Sequence, residues 1–491
     1  MKKREKKKAA LPAIIYSELS PISPVGVSLF DMDEQITVES VEDFISEKSL
    51  VHKAMKKLRE LGFEVLYTNY ITINVAGAPK LYEEVFKTSL KTVEKPTIKH
   101  LGIKSTTTVI DTTNTPIEGL IDTSESILAD MLEGGAINRK VYFFGSESYI
   151  PPAKTYWNLH PPEMATALNA ELVHRTGITG RNVKVVMVDT GWYNHPYFIR
   201  RGYKVNPTII GPSASDPQHD EVGHGTGEST NIFAIAPDIE FTMVKMGSTN
   251  MTGSFNVAVS LQPDIISCSW GVDLRNEQTN EQLGPPLPAG LRPLEAAIAN
   301  AVRQGIVVIF SAGNGHYGFP GMYPEVISGG GTYMDKDGIT IQATQYASGF
   351  GSKIYPGRNV PDVCGLVGLP PKAIYLMLPV EPGDEIDNEL SSGGSYPSSD
   401  ETTKNDGWAA FSGTSAAAPQ IAGVCALIKQ VCPRLSPPQI KGILASTAID
   451  VIKGKCSPAT GSNSAKPGPD LATGAGMVDA FNAVRKARDI C

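Results

Sequence analysis

Three short glycine-bearing strings in this sequence each present one reactive side chain: Val188-Asp189-Thr190-Gly191, Gly223-His224-Gly225-Thr226 and Gly413-Thr414-Ser415-Ala416. A carboxylate, an imidazole and a hydroxyl are the three parts that nucleophilic catalysis by serine needs. Serine is a poor nucleophile at its own pKa, so a neutral imidazole must remove its proton during attack. A carboxylate must then hold that imidazole's tautomer and stabilise its charged form. Taken singly, an Asp after a strand or a Ser at a helix start is ordinarily structural, so the combination carries the inference.

The surrounding residues say how the three would be positioned. Asp189 follows the apolar run Val183 to Val188, which reads as a strand. His224 precedes a helical segment reaching about Ile235, and Ser415 opens another that runs through Ile428. A hydroxyl at a helix start has unpaired N–H groups and a positive dipole end beside it, which suit a developing oxyanion. Pro419 is expected in that helix's first turn, where proline is tolerated. Further apolar runs at Phe241 to Met246, Asp264 to Ser267 and Ile306 to Phe310 read as strands, and Leu294 to Val302 as a helix. Strands alternating with helices imply a parallel sheet covered on both faces. In such sheets the site lies outside the carboxyl ends of the strands.

The three strings resemble the signatures of the subtilisin family, in its chain order of Asp, His, Ser. Asp189 and His224 stand 35 residues apart, close to the family's spacing. The similarity covers roughly residues 165–490 and extends to segments that no catalytic motif requires. Asn194-His195-Pro196 follows the Asp loop as in relatives, and Ser311-Ala312-Gly313-Asn314-Gly315 is similar to the oxyanion-hole segment. Ser267-Cys268-Ser269-Trp270-Gly271 resembles the strand that pairs with substrate backbone. The resemblance implies an α/β fold with a subtilisin-like sheet and a serine endopeptidase acting on protein or peptide substrates. It implies Asp189, His224 and Ser415 as the triad and Asn314 as an oxyanion donor. Ser269, Trp270 and Gly271 would bind an extended substrate as an added strand; the Trp270 side chain either shapes a subsite or packs. No cofactor is implied for the chemistry. Calcium is common in the family, but no complete ligand set carries over, so metal sites stay unassigned. Two other readings remain: a silent binding or scaffold protein on the same fold, though no triad or oxyanion residue is missing, and an esterase, though Ser415 is followed by Ala416-Ala417 rather than by the x-Gly of Gly-x-Ser-x-Gly.

The chain also departs from the pattern. Gly225-Thr226-Gly227-Glu228 replaces the usual Gly-Thr-His-Val, which places Glu228 one helical turn after His224 on the same face. The related sedolisins have Glu in place of the histidine, a second acid four residues later, and Asp where this chain has Asn314. Keeping His and Asn points to subtilisin-type chemistry near neutral or alkaline pH. Glu228 either tunes His224 or is a carboxylate favoured by a helix N-terminus. Gln420 stands where relatives usually have His, read as a packing variation. Pro370 to Asp406, with Glu381, Asp384, Glu385, Asp387 and Glu389, reads as an inserted, solvated surface loop, with calcium binding or attraction of basic substrates as the alternatives.

With 491 residues the chain exceeds one typical domain. Val25 to Phe30 suits a strand, Leu50 to Leu61 a helix, Phe63 to Val75 strand structure and Pro79 to Leu90 a second helix. That order fits a smaller α+β, ferredoxin-like unit, and Ile117 to Leu132 reads as a further helix. The region resembles the prosegments of subtilases and sedolisins, which implies an inhibitory and chaperone-like segment over residues 1–150. The peptidase unit would then span 151–491, with self-cleavage within about 145–165. A permanent accessory domain is the alternative.

A formal charge of −7 argues against a nucleic-acid partner, and no apolar run is long enough to span a bilayer. The basic start, Met1 to Lys8, is followed by too short an apolar run for a signal peptide. A solvated tail and a cytoplasmic location are expected, with export by an unrecognised signal as the alternative. Six cysteines without metal-ligand spacing read as free thiols; Cys425 and Cys432 would lie about 10 Å apart on one helix.

Overall fold

The computed structural model describes residues 10–31, 35–100, 103–143, 157–247, 249–276, 279–335, 337–368, 374–391 and 402–491. The basic start and the expected cleavage stretch around residues 145–156 lie outside these. The N-terminal unit is built on β1 (Ile15–Pro21), α1 (Lys48–Leu61), β2 (Glu64–Thr68), β3 (Ile73–Gly77) and α2 (Pro79–Phe86). A long hairpin follows, β4 (Leu90–His100) with β5 (Ile103–Thr112), then β6 (Leu120–Ile121) and β7 (Leu132–Ile137). The sheet order is β2-β3-β1-β7-β6, with every pair antiparallel. This is the ferredoxin-like arrangement with a hairpin inserted before its last strand. On α1, Val51, Ala54 and Leu58 fall at helical spacing and are fully buried, and Gly62 ends the helix at φ 105°. They close a small core with Leu19, Ile73, Val75, Tyr82 and Phe86.

Two expectations fail in this unit. Val25 to Phe30 is irregular chain, not a strand, and its Leu29 is buried against the peptidase unit. Ile117 to Leu132 is not a helix: the chain turns at Gly119 (φ 74°), gives two residues to β6, and turns again. β7 carries Gly134-Gly135, residues of poor strand propensity. A Cβ at Gly135 would lie 2.5 Å from the Leu19 side chain, so close packing requires the glycine there.

After β8 (Tyr142–Phe143), β9 (Trp157–Leu159), α3 (Pro161–Ala167) and α4 (Ala170–His174), strands and helices alternate. The first are β10 (Lys184–Asp189), α5 (Pro196–Arg201), β11 (Ile209–Ile210), α6 (His224–Ile235), β12 (Glu240–Lys245) and α7 (Met251–Ser260). Then come β13 (Ile265–Cys268), β14 (Trp270–Asp273), α8 (Arg292–Arg303), β15 (Val307–Ser311), β16 (Gly318–Phe319), β17 (Ile327–Met334) and β18 (Ile341–Ala343). The main sheet runs β11-β12-β10-β13-β15-β17-β18, and its central strands are parallel. Alternate residues serve opposite faces. Val185 and Met187 pack with Ile232 of α6 and Ile421 of the Ser415 helix, while Val186 and Val188 pack with Phe255 of α7 and Ile298 of α8. Both faces are covered, so these strands read as nearly continuous apolar runs.

The N-terminal unit sits on the α7–α8 face. Leu29, Ile36, Val41 and Phe44 share a core with Leu294, Ala297 and Ala301 of α8. Arg292 donates to the carbonyls of Leu29 (3.1 Å) and Asp31 (3.0 Å) and pairs with buried Glu295 at 2.8 Å. Breaking such a buried pair by removing one partner costs about 3–5 kcal/mol. Asn74 of β3 exchanges two 2.9 Å hydrogen bonds with Asn250, the residue before α7, and also donates to Glu18 at 2.5 Å. Burial pushes the Glu18 carboxyl up to about 7, with hydrogen bonds from Thr72 and Asn74 opposing the rise.

Where it is described, at 374–391 and 402–406, the acidic stretch is not simply a solvated loop. The strand Ile374–Pro379 pairs with Trp408–Phe411, and α9 (Glu385–Ser391) follows. Asp384 and Asp387 are buried; Asp384 accepts from the amides of Glu381 and Asp387, and Asp387 from that of Gly383. Among the described residues, no helix is long and apolar enough to cross a membrane.

The expectation of six free thiols is also corrected. Cys432, at the end of the Ser415 helix, is bonded to Cys491 after the final helix Ala480–Ile490, with Cα atoms 5.8 Å apart. The pairing was hidden because 59 residues separate the two, and only the return of the last helix brings them together. Cys268, Cys364, Cys425 and Cys456 are free and buried. Thiol titration of the unreduced, denatured chain should therefore count four groups, rising to six after reduction; six without reductant would contradict the pairing. Cys491→Ser should lower unfolding stability by about 2–4 kcal/mol, measured by denaturant titration.

Candidate active site

The carboxyl edge of the parallel sheet carries the site. Asp189 is the last residue of β10, fully buried, and Asp189 Oδ1 lies 2.7 Å from His224 Nδ1. His224 is the first residue of α6 and is 1% exposed. Close approach of the two elements depends on Gly225: a Cβ there would lie 2.3 Å from the Gly191 carbonyl. In its place the Gly225 amide donates to Thr190 Oγ1 at 2.8 Å.

Ser415 is the second residue of α10 (Thr414–Val431), entered through Gly413 at φ 123°, a conformation that favours glycine. Pro419 lies inside this helix, beyond the expected first turn. Having no N–H, it leaves the Ser415 carbonyl without its helical donor. Ser269 supplies the replacement: its hydroxyl donates to the Ser415 carbonyl at 2.9 Å, and the Ser415 hydroxyl donates to the Ser269 carbonyl at 3.2 Å. The proline thus ties the serine helix to the strand beside it.

Asn314 follows β15 and approaches the same helix start. Its Oδ1 accepts from the Thr414 amide (2.9 Å) and hydroxyl (3.1 Å), while its backbone N–H donates to His316 Nδ1 at 3.0 Å. With Oδ1 taken up in this way, the Nδ2 end is the donor face of the side chain.

Ser269, Trp270 and Gly271 lie at and just before β14. The Trp270 indole is fully buried, donates to the Val188 carbonyl at 2.7 Å and meets Phe310 edge-on. It is a core residue and forms no subsite wall, which leaves its backbone as the part that can pair with another strand. That backbone is already paired: β8 runs antiparallel to β14, with Phe143 opposite Trp270 and Tyr142 opposite Gly271.

Acids crowd the imidazole. Burial alone would push His224 down, but Asp189, through charge and hydrogen bond, then Glu228 and Asp220, raise it above the usual histidine range. Glu228, fully buried, is raised by desolvation, an effect that the charge of His224 opposes. Asp220 was not singled out from the sequence. It accepts from the amides of Gly223 (3.0 Å) and Thr226 (2.8 Å) and from the Thr226 hydroxyl (2.7 Å), and so builds the entry to α6. An Asp a few residues before a helix start is the signal that marks it. Among the described residues, no group of three or more His, Cys, Asp or Glu side chains is placed to hold a metal ion. Glu381, Asp384 and Asp387 accept hydrogen bonds from backbone amides.

Comparison with known proteins agrees with this architecture. The profile of the subtilase family matches residues 180–476, more than half of the chain. Alkaline elastase YaB from Bacillus sp. (strain YaB) is 28% identical over 298 residues, covering 58% of this chain and 64% of that protein. Subtilisin Savinase from Lederbergia lenta is 28% identical over 295 residues, 57% of this chain and 88% of the relative. The chain thus spans less than two thirds of the elastase's length. Fervidolysin from Fervidobacterium pennivorans has a similar fold, with a TM-score of 0.56 at 16% identity, covering 98% of this chain and 62% of that one. On the strength of the profile match, this chain belongs to the subtilase family.

Proposed function

We propose that the protein is a serine endopeptidase that hydrolyses peptide bonds through an acyl-enzyme, with Ser415 as nucleophile, His224 as general base and Asp189 as its orienting carboxylate. The observation that carries this reading is the 2.7 Å contact between the two buried groups His224 and Asp189, set at the same sheet edge as Ser415 and Asn314. In the reaction the Ser415 hydroxyl attacks the scissile carbonyl as its proton passes to His224 Nε2. Asp189 keeps Nδ1 protonated and stabilises the imidazolium. Asn314 Nδ2 and the Ser415 amide donate to the oxyanion. His224 returns the proton to the leaving amine, and water then releases the acyl group by the same steps in reverse.

Residues 1–150 are, on this reading, a prosegment, and 151–491 the peptidase. The pairing of β8 along Trp270-Gly271 supports it, because an extended substrate would occupy that same strand position. The N-terminal unit would first guide folding and block the cleft, and then be cut by the enzyme itself within about 145–165. The shared core and the Arg292 contacts would keep the cut unit docked until its surface is displaced.

Mass spectrometry of the purified protein should show two pieces for wild type and one uncut chain for Ser415→Ala. A mutant cut in the same place when made without other proteases would refute self-processing. Peptide hydrolysis should disappear with Ser415→Ala, while ester-only turnover by wild type would refute the peptidase reading. Asn314→Ala should lower kcat by about 10²–10³ with KM little changed, the size known for loss of this donor in a subtilisin. A fall in affinity alone would take Asn314 out of the oxyanion role.

A further inference from the structure

Glu228 and Gln420, two departures from the family's pattern, are far apart in sequence yet meet in the interior. Gln420 Nε2 donates to Asn231 Oδ1 (3.0 Å) and to the Leu366 carbonyl (2.9 Å), and the Leu366 amide donates back to Gln420 Oε1 (2.8 Å). Asn231 Nδ2 in turn donates to Glu228 Oε2 at 2.8 Å. All three side chains are fully buried. This chain of hydrogen bonds crosses from α10, which carries Ser415, to α6, which carries His224, and fixes the Glu228 carboxyl. The other oxygen, Glu228 Oε1, has no hydrogen-bond donor among the described residues and lies 4.0 Å from His224 Nε2.

We propose that Glu228 is a positioning residue for the general base: its carboxyl, clamped by Asn231 and Gln420, faces the Nε2 side of His224 and stabilises the imidazolium formed when Ser415 gives up its proton. The imidazole then lies between two carboxyls, Asp189 at Nδ1 and Glu228 near Nε2. A purely helical role explains less. A carboxylate gains from a helix N-terminus within the first turn and at the surface, whereas Glu228 lies beyond that turn and out of water. Burying an acid is costly unless something compensates it, and the cation within reach is His224. Among the described residues, the other titratable groups acting on the pair are Asp189 from the sheet, Asp220 from the loop before α6, and Tyr346 from the loop after β18. None of these supplies a positive charge. Both groups hold a proton to higher pH than usual, His224 through the acids around it and Glu228 through burial, in keeping with one proton held between them.

This inference rests on His224 acting as the general base. The test follows kcat/KM against pH for the processed wild type and for Glu228→Gln, which keeps the size and the Asn231 contact. Removing a negative charge beside the imidazolium lowers the pKa of His224, so the acid limb should move down by about 1–3 pH units. An unmoved limb, with activity reduced equally at every pH, overturns the proposal. Glu228→Asp draws the carboxyl back by one methylene; its limb should move the same way, and it carries the test if the Gln variant does not fold. A second readout needs no turnover. The His224 imidazole is titrated by NMR in full-length Ser415→Ala and in Ser415→Ala/Glu228→Gln, and the second should titrate lower; equal titrations overturn the proposal. A lowered titration in that pair, combined with a processed wild type that hydrolyses no peptide, would uphold the role of Glu228 and sink the function proposed above.

Discussion

One hydrogen bond, 2.7 Å between His224 Nδ1 and Asp189 Oδ1 with both side chains sealed from water, sets the terms for the surrounding structure. It requires the end of β10 and the start of α6 to approach more closely than any side chain at Gly225 would permit. It requires Asp220 to shape the turn that delivers His224, and Thr190 to receive the Gly225 amide. The parallel sheet supplies the rigid edge on which such tolerances hold, because its strands are packed on both faces by helices that also carry site residues. The serine helix is bound to that edge by the reciprocal Ser269–Ser415 pair, for which the proline inside α10 clears a carbonyl.

A buried imidazole among carboxyls is electrostatically demanding. In water these charges would be screened, but in the interior their effects on ionisation are large. The hydrogen bonds that Asp220 accepts from backbone amides, and Glu228 from Asn231, keep each acid in a defined place, so its field at His224 is directional. The N-terminal unit adds a second constraint. Its sheet turns Glu18 and Asn74 toward the peptidase unit and turns Leu19, Ile73 and Val75 toward its own helices. The seam it makes is therefore partly a shared apolar core and partly a polar network.

How legible each part was in the sequence follows from its range. Asp189, His224, Ser415 and Asn314 sit in short strings where glycine and small residues surround one reactive group, so type and spacing suffice to find them. The central strands and α8 were legible because burial on both faces makes their apolar runs continuous. The Cys432–Cys491 bond was not, since it depends on where the last helix returns. Nor was the Gln420–Asn231–Glu228 chain, which joins residues 192 positions apart. In the N-terminal unit, Ile117 to Leu132 carries apolar residues at helical intervals, yet tertiary contacts and the turn at Gly119 override them. β1 was missed because Ser17, which bonds Tyr82 of α2, and Glu18 and Ser20 on the opposite face are all buried polar residues, which masks the alternation of an ordinary half-buried strand.

The most direct measurement of the central claim is to locate the covalent adduct formed by a fluorophosphonate with the processed protein. Activation of one hydroxyl by His224 and Asp189 predicts a single adduct, on the peptide that contains Ser415, and its loss in His224→Ala. An adduct on another serine, or equal labelling without the histidine, would contradict the account.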